Sequence, residues 1–582
     1  MATSKDAQVR SRHLSILVLV FFILILTNLV RMQIFEYETF KRLSDKNRIR
    51  VIYLEGPRGR ILDRNKIVMA GNRLSYNCSA IIHEAKPKLA SSLAVLAPIL
   101  GEDPAVLEER FFDKKKRGAF NTVILAEDLS PRQAMAVEEA IDLMPGFMIE
   151  TRPQREYPQG PAAAHLVGFI GPLNAEESAD SELYDYSRSD WTGRDGIEKH
   201  YESYLRGRAG GLQMEVNSRG RFVRTLGIKE PRDGKDLQLT IDTRLQAYVQ
   251  SLLKTQKGAV AVIELGEGGL LSLNSSPSFD PNLFASKVGR KDVSKYLTDK
   301  RAPMVNRALR GQYPPGSIFK IVTALAALDA GTLRPTSKFN CGGSLTLGGN
   351  RFGCWKEAGH GIQTLSDAFA HSCNVYFYMT GLSCGGESIY RKAIEMGFTR
   401  TSGIDLPGER KGFVPSPEWK RRSRKMRWFN GDTANLSIGQ GSLQVTPIQA
   451  LMMAAYVASK GRPPTPHVID RIGGVKVSDG RRIDSRANRE HLDQVEQGLD
   501  AVINSDTGTG RLARMATFRV AGKTGTAQSG QDKTHAWFVG YAPLPNPKIA
   551  LVVFLENGGR GGVAAATLAR QVLEKLSELH YL

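Results

Sequence analysis

Cysteine is scarce in this chain: Cys78, Cys341, Cys354, Cys373 and Cys384 are all there is in 582 residues. So few thiols, odd in number, do not make the disulfide framework on which small proteins outside the cytoplasm rely. Acidic residues are in deficit, 59 against 79 basic ones, for a net charge of +20. A surface this basic suits nucleic acid, an anionic membrane face or an anionic substrate. Long apolar runs are missing, with one exception. Leu14 to Val30, extended through Ile34 and Phe35, is almost unbroken, and at 1.5 Å per residue about 22 residues cross a bilayer. With no second such run, we expect a single membrane anchor. A cleavage site is lacking as well, because Arg31-Met-Gln stands where signal peptidase needs small residues, so the anchor is retained. Lys5, Arg10, Arg12 and His13 precede it and place the short N-terminus in the cytoplasm, although Arg31 weakens the asymmetry. The bulk of the chain is then on the far side, where membrane or anionic substrate is the partner and nucleic acid is not.

A chain this long exceeds one ordinary core, so two or more domains are expected. Residues 1–13 form a cytoplasmic tail and 14–35 the anchor. Residues 36–235 form a pedestal, beginning with a helical stalk from Phe35 to Ile52 and a turn from Gly56 to Arg64 that feeds a short strand. Within it, about 77–148 reads as an α/β insertion, with helices at Lys88 to Ile99 and Pro131 to Leu143 and a solvated charge run, Lys114 to Arg117. Pro231 to Lys235 is a polar breaker. Residues 236–582 form the main domain. Ala259 to Ile263 and Leu270 to Leu273 are strands of a hairpin, and Arg519 to Ala527, Ala536 to Tyr541 and Ile549 to Leu555 are three more. Val563 to Leu579 is an amphipathic helix. Strands at both ends of a helical middle predict one antiparallel sheet with helices on its faces, an α+β fold.

Three short patterns carry chemistry. Tyr313-Pro-Pro-Gly-Ser-Ile-Phe-Lys320 is a turn running into a helix that ends near Gly331, with Ser317 at its start and Lys320 one turn further on the same face. A lysine whose pKa is pulled down by burial or a second cation can take the proton of a serine hydroxyl. Ser372-Cys-Asn374 follows the helical segment Leu365 to His371, and Lys523-Thr-Gly525, continuing as Thr526, lies in a strand. Alone, each has a bland reading: solvated helix surface, a helix cap, a strand entering a bend. Together, S-x-x-K, S-x-N and K-T-G in this order resemble the signature of penicillin-binding proteins and serine β-lactamases.

The resemblance extends over nearly all of the chain beyond the anchor. Gly56 to Arg64, Tyr157 to Gly171, Gly196-Ile-Glu-Lys-His-Tyr201 and Leu237 to Asp242 look like the pedestal and junction of class B members. Pro303 to Lys320 and Ser437-Ile-Gly-Gln-Gly441, leading to Thr446-Pro447, look like their transpeptidase domain. Glu418-Trp-Lys420 through Trp428 to Gly431-Asp432, and Leu555-Glu-Asn-Gly558, are similar to the elongation-type group, penicillin-binding protein 2. The resemblance implies a peptidoglycan D,D-transpeptidase that cross-links stem peptides of nascent lipid-linked glycan, binds β-lactams covalently and needs no cofactor for catalysis. A division-type enzyme, or a carboxypeptidase or β-lactamase-like hydrolase, is the alternative.

In that scheme Ser317 attacks the carbonyl between two D-alanines, Lys320 takes its proton and Ser372 relays a proton to the leaving group. Asn374 holds the substrate amide and orients Lys320. Lys523 adds charge that keeps Lys320 neutral and, with Thr524 and Thr526, meets the substrate carboxylate, while Gly525 leaves room for the substrate backbone. The implied partners are a polytopic polymerase of the SEDS family and scaffold proteins of the elongation complex. The basic run Lys420 to Arg427 reads as a solvated or membrane-facing surface, and Trp537-Phe538 as core.

Cys341, Cys354, His360 and Cys373 fall close together in sequence, in the segment leading into Ser372-Cys-Asn374. Three thiols and an imidazole are a tetrahedral zinc set, although the spacing is wider than a zinc finger's. The resemblance supports a structural metal here. A Cys341–Cys354 disulfide and unconnected buried thiols are the other two readings.

Overall fold

The computed structural model describes residues 4–41, 49–54, 56–113, 122–173, 191–216, 222–285, 290–478, 480–485, 487–530 and 533–582. The charge run Lys114 to Arg117 lies outside them. An apolar helix, Ser4–Val30, continues as a π-helical turn, Arg31–Phe35. From Val9 to Phe35 it is long and apolar enough to cross a membrane, and its most apolar stretch is not buried by the other described residues.

Chain contacts divide the protein into two compact units, 1–57, 76–151 and 207–233 in one, and 58–75, 152–206 and 234–582 in the other. The first holds the insertion, which has its own core of Leu93, Leu96, Leu107, Phe111, Val123, Val137 and Met144. Its helices, Leu89–Leu100 and Pro131–Glu139, lie where the sequence puts them, the first stopped by Gly101 at φ 68° and the second started by a capping box between Ser130 and Gln133. The expected stalk is helical over 37–41 but does not run as a helix to Ile52, and its middle, 42–48, lies outside the described residues. Ile49–Leu54 is a strand, paired antiparallel with Gly210–Val216, which in turn pairs with Phe222–Lys229. Its composition, Ile-Arg-Val-Ile-Tyr-Leu, is β-branched and aromatic, which favours the pleated state.

In the second unit, 58–75 and 152–206 group with 234–582. Ile61, Met69, Tyr157, Leu166, Ile197 and Leu205 belong to the same apolar core as the residues beyond 235. Leu237–Leu239 pairs parallel with Ile61–Leu62 and antiparallel with Ile469–Ile472. Glu198, fully buried, accepts from Arg155 Nε at 2.7 Å and Arg58 Nε at 2.6 Å. Burial alone would raise its pKa, and the two guanidiniums overcome that and hold it below the ordinary carboxylate value. Removing one partner from a buried pair leaves an uncompensated charge and costs about 3–5 kcal/mol, so 58–75 and 152–206 are locked to each other, while Arg310 pairing with Asp195 and Tyr201 OH donating to Asp405 at 2.9 Å tie them to the main body.

At the centre of that body is a five-stranded antiparallel sheet of β1 (Gly258–Glu264), β2 (Leu270–Ser276), β3 (Arg519–Gln528), β4 (Thr534–Leu544) and β5 (Ile549–Leu555), in the order β2-β1-β5-β4-β3. The two edges come from opposite ends of the domain, as expected. All seven residues of β5 are buried, so both faces are covered. Thr243–Leu252 and Ala564–Glu578 pack against the sheet, as does Pro447–Ala458, a helix with all twelve residues buried. Trp537 and Phe538 are core, with no exposed surface.

Candidate active site

Gly316 adopts φ +56° after the two prolines, turning the chain into a 3-10 segment, Gly316–Phe319, and then the α-helix Lys320–Asp329. The helix therefore begins one tight turn later than the sequence predicts. Ser317 sits in the 3-10 turn, part-exposed, and Lys320 opens the α-helix with no exposed surface. Lys320 Nζ donates to Asn374 Oδ1 at 2.7 Å, to the Ser372 carbonyl at 2.8 Å and to Ser372 Oγ at 3.3 Å. Burial pulls its pKa down to about 8, against the partly compensating negative charge of Cys373 and Cys354. S-x-x-K and S-x-N thus meet on one amine.

Ser372 lies between the helices Leu365–Ala370 and Asn374–Glu395 and adopts φ +50°, a left-handed conformation uncommon for a non-glycine residue. Its surroundings hold that conformation. Trp355 Nε1 donates to the His371 carbonyl at 2.9 Å, and the His371 ring lies 2.7 Å from Gln363 Oε1 and 3.0 Å from Thr507 Oγ1.

Lys523 is fully buried on β3, the edge strand, and donates to the Thr524 carbonyl at 3.1 Å. Burial first, and the charge of Lys320 second, push its pKa well below the ordinary lysine value. Burial lowers both lysines, and the two cations repel each other. Gly525 has a packing reason within the chain: a Cβ there would stand 2.9 Å from the Pro315 carbonyl oxygen and 3.1 Å from Ile318 Cγ2 and Trp537 Cβ. Its missing side chain lets the serine turn lie against β3. Thr526 is exposed on the strand edge, and its hydroxyl accepts from Gly561 N at 3.1 Å.

Three supports escaped motif reading. Gly439, at φ +75°, bonds its carbonyl to Gly316 N at 2.9 Å, and a Cβ on it would come within 2.1 Å of the Gly316 oxygen. Thr509 Oγ1 donates to the Ala370 carbonyl at 3.1 Å and accepts from Thr524 Oγ1 at 3.2 Å, joining the S-x-N turn to the K-T-G strand. Trp537 Nε1 donates to the Pro314 carbonyl at 3.0 Å. Only Gly439 had a signal, in the Ser437 to Gly441 stretch.

Beside Ser372, one ligand atom from each of Cys341, Cys354, His360 and Cys373 lies within 4.8 Å of the others. His360 Nδ1 stands 3.6 Å from Cys341 Sγ and 3.5 Å from Cys354 Sγ. Zinc bonds of about 2.3 Å to sulfur and about 2.0–2.1 Å to nitrogen, at a tetrahedral angle, require a sulfur–nitrogen edge of about 3.5–3.6 Å. The residues fit the metal. All five cysteines are free thiols, so the Cys341–Cys354 disulfide is not formed. A hydrogen bond from Cys373, more than any other contact, draws the Cys354 thiol down to about 4, with help from the backbone N–H groups of Lys356, Asn374 and Val375.

Comparison with known proteins places this geometry. Residues 258–574 match the penicillin binding protein transpeptidase domain, and residues 53–239 the penicillin-binding protein dimerisation domain. The peptidoglycan D,D-transpeptidase MrdA of Acinetobacter baumannii is 34% identical over 586 residues, spanning 96% of this chain and 86% of its own. The PBP2 of Helicobacter pylori, solved in a complex with MreC, superposes with a TM-score of 0.83 at 28% identity, over 92% of this chain and 99% of that one. A chain from a peptidoglycan synthase complex, described as structural coordination of polymerization and crosslinking, has a TM-score of 0.75 at 29% identity over 97% of both chains. The chain belongs to the class B penicillin-binding proteins of the elongation type, serine enzymes that cross-link peptidoglycan as D,D-transpeptidases.

Proposed function

We propose that Ser317 is the nucleophile and Lys320 its base. The observation that carries this reading is the Lys320 amine, wholly buried, one turn after Ser317 and bonded to both Ser372 and Asn374. Ser317 Oγ attacks the carbonyl between two D-alanines as its proton passes to Lys320. The C–N bond then breaks, with Ser372 relaying the proton to the departing D-alanine amine, and an ester remains on Ser317. The amine of a second stem peptide attacks that ester, loses a proton to Lys320 and leaves as the cross-linked product. Asn374 fixes Lys320 and the substrate amide. Lys523, Thr524 and Thr526 take the terminal carboxylate, whose charge favours the protonated form of Lys523. Gly525 serves the substrate subsite by letting β3 and the serine turn close up. Backbone N–H groups of Ser317 and Thr526 form the oxyanion hole, worth about 3 kcal/mol per donor.

Ser317→Ala removes covalent penicillin labelling and cross-linking and leaves a folded protein. Adduct mapping by mass spectrometry checks it, and label that survives on the variant moves the nucleophile elsewhere. Release of D-alanine without cross-links by the unaltered protein would make it a carboxypeptidase.

The site works outside the membrane in this reading, with the catalytic domain on the far side of the Val9–Phe35 helix from the short basic N-terminus. Cys341, Cys354, His360 and Cys373 hold a structural zinc, all four positions filled by protein. The relatives found with MreC and in a synthase complex support two partners for this chain: an elongation-complex scaffold protein, and a polytopic glycan polymerase met through the anchor and pedestal.

A further inference from the structure

The catalytic reading leaves the basic run Lys420 to Arg427 without a task. It lies on and just beyond a short helix, Pro417–Arg424, that buries none of its residues. Lys425 ends that helix in the left-handed conformation, φ 57°, and the chain turns back toward the helix Asn430–Ser437. Six of the eight residues from 420 to 427 are basic. Lys420 is engaged by Asp432 and Arg422 by Glu418. Arg421, Arg424, Lys425 and Arg427 are exposed and have no carboxylate partner among the described residues. Two aromatic rings lie among them, with Arg424 over Trp419 at 5.9 Å and Arg427 over exposed Phe429 at 4.9 Å. The result is a cationic face on which two guanidiniums, those of Arg424 and Arg427, are propped on rings.

This face is joined to the active site. The Phe352 ring lies against Gly431, close enough that a Cβ there would stand 3.0 Å from Phe352 Cζ. The next carbonyl, that of Gly353, accepts from Asn374 Nδ2 at 3.4 Å and from Tyr378 OH at 3.2 Å. Further on, the helix Asn430–Ser437 leads directly to Gly439, which braces the serine turn. Exposed Arg351, one residue before Phe352, extends the positive surface toward Asn374.

We propose that this cationic face receives the un-cross-linked glycan strand, pairing Arg421, Arg424, Lys425 and Arg427 with carboxylates of stem peptides on units next to the one in the active site. The inference rests on the transpeptidase reading of Ser317. Such a strand carries at least one carboxylate per stem peptide, at the terminal D-alanine, and is therefore a polyanion of repeating charge. The face matches it in sign, and its continuity with Asn374 favours the strand over an anionic bilayer. Each cross-link releases the donor's terminal D-alanine together with its carboxylate and leaves the penultimate carbonyl as an amide, so a processed strand carries less negative charge and the face holds unreacted strand more tightly.

The test uses the full-length protein in vesicles of neutral phosphatidylcholine with pre-formed, un-cross-linked lipid-linked glycan. In one variant, Arg421→Gln, Arg424→Gln, Lys425→Gln and Arg427→Gln are combined; in a second, the three arginines become lysine. The glutamine variant acylates with penicillin within about twofold of the unaltered protein but cross-links about tenfold more slowly at low salt, the gap closing toward 1 M salt, where the screening length is about 3 Å. The lysine variant cross-links like the unaltered protein. Equal cross-linking and equal salt dependence in the glutamine variant overturn the proposal. So does an equal loss in the lysine variant, a loss of acylation in parallel with cross-linking, or a deficit confined to vesicles containing anionic phosphatidylglycerol, which would assign the face to the membrane. Failure of the Ser317 reading is separate, since it is read from the position of the penicillin adduct on the unaltered protein.

Discussion

Lys320 has to be charged enough to be held and neutral enough to act. Three acceptors fix its amine, and burial lowers its pKa to about 8. Only the neutral amine takes the serine proton, so the rate of penicillin acylation rises about tenfold per pH unit below about 8 and levels off above it. Stopped-flow or gel measurement of the second-order rate constant from pH 5.5 to 9.5 checks this, and a profile flat across that range removes Lys320 as the base. At this scale the sequence was informative about identity and silent about influence. Ser317, Lys320, Ser372, Asn374 and Lys523 stand out because nucleophile, base and relay must be those residue types. How far burial lowers Lys320 and Lys523 depends on the packing around each amine, which no spacing encodes. Thr509 and Gly439 act through a backbone carbonyl and a missing Cβ, features that a motif of side-chain types does not carry.

The element that most constrains the catalytic turn is the loop of short paired strands from Phe339 to Gln363. Phe339–Cys341 pairs with Gly361–Gln363, which brings Cys341 and His360 together, and Cys354 N donates to the Gly343 carbonyl at 2.8 Å. Cys373 is the residue between Ser372 and Asn374, so a metal on this loop clamps both catalytic side chains through one peptide unit. Purified protein therefore contains about one zinc per chain, and His360→Ala loses it and acylates penicillin about tenfold more slowly with every catalytic group in place. Atomic emission gives the metal content independently of activity, and metal-free unaltered protein sinks the idea. Helices and strands were legible where periodicity and caps agree, as at Leu89–Leu100 and the five strands of the sheet. The stalk was misread because a short β-branched segment next to a long helix has no boundary signal, and its partner, Gly210–Val216, is far away in sequence.

For the whole molecule, the anchor sets which compartment the chemistry occupies. Protease added outside right-side-out spheroplasts digests the chain beyond about Phe35 and spares the anchor, as basic residues before the span and its bilayer length require. Full protection reverses the topology. The fold class and the antiparallel sheet with edges from both ends were readable at this scale. The reach of 58–75 and 152–206 into the main body was not, because it depends on Asp195 meeting Arg310 and Tyr201 meeting Asp405, and isolated polar residues give no sign of their partners. The strand order β2-β1-β5-β4-β3 has a consequence in time. The chain leaves the ribosome from its N-terminus, so the hairpin of β1 and β2 is complete long before β5 exists, yet β5 must slot between β1 and β4, pairing Leu555 with both Gly258 and Ala536. Until Ile549–Leu555 exists, the hairpin of β3 and β4 that carries Lys523 and Gly525 has no strand joining it to the hairpin of β1 and β2. The three motifs therefore rest on unconnected pieces until the last strand of the sheet is made, so a nascent chain that stops short of β5 is an inert one.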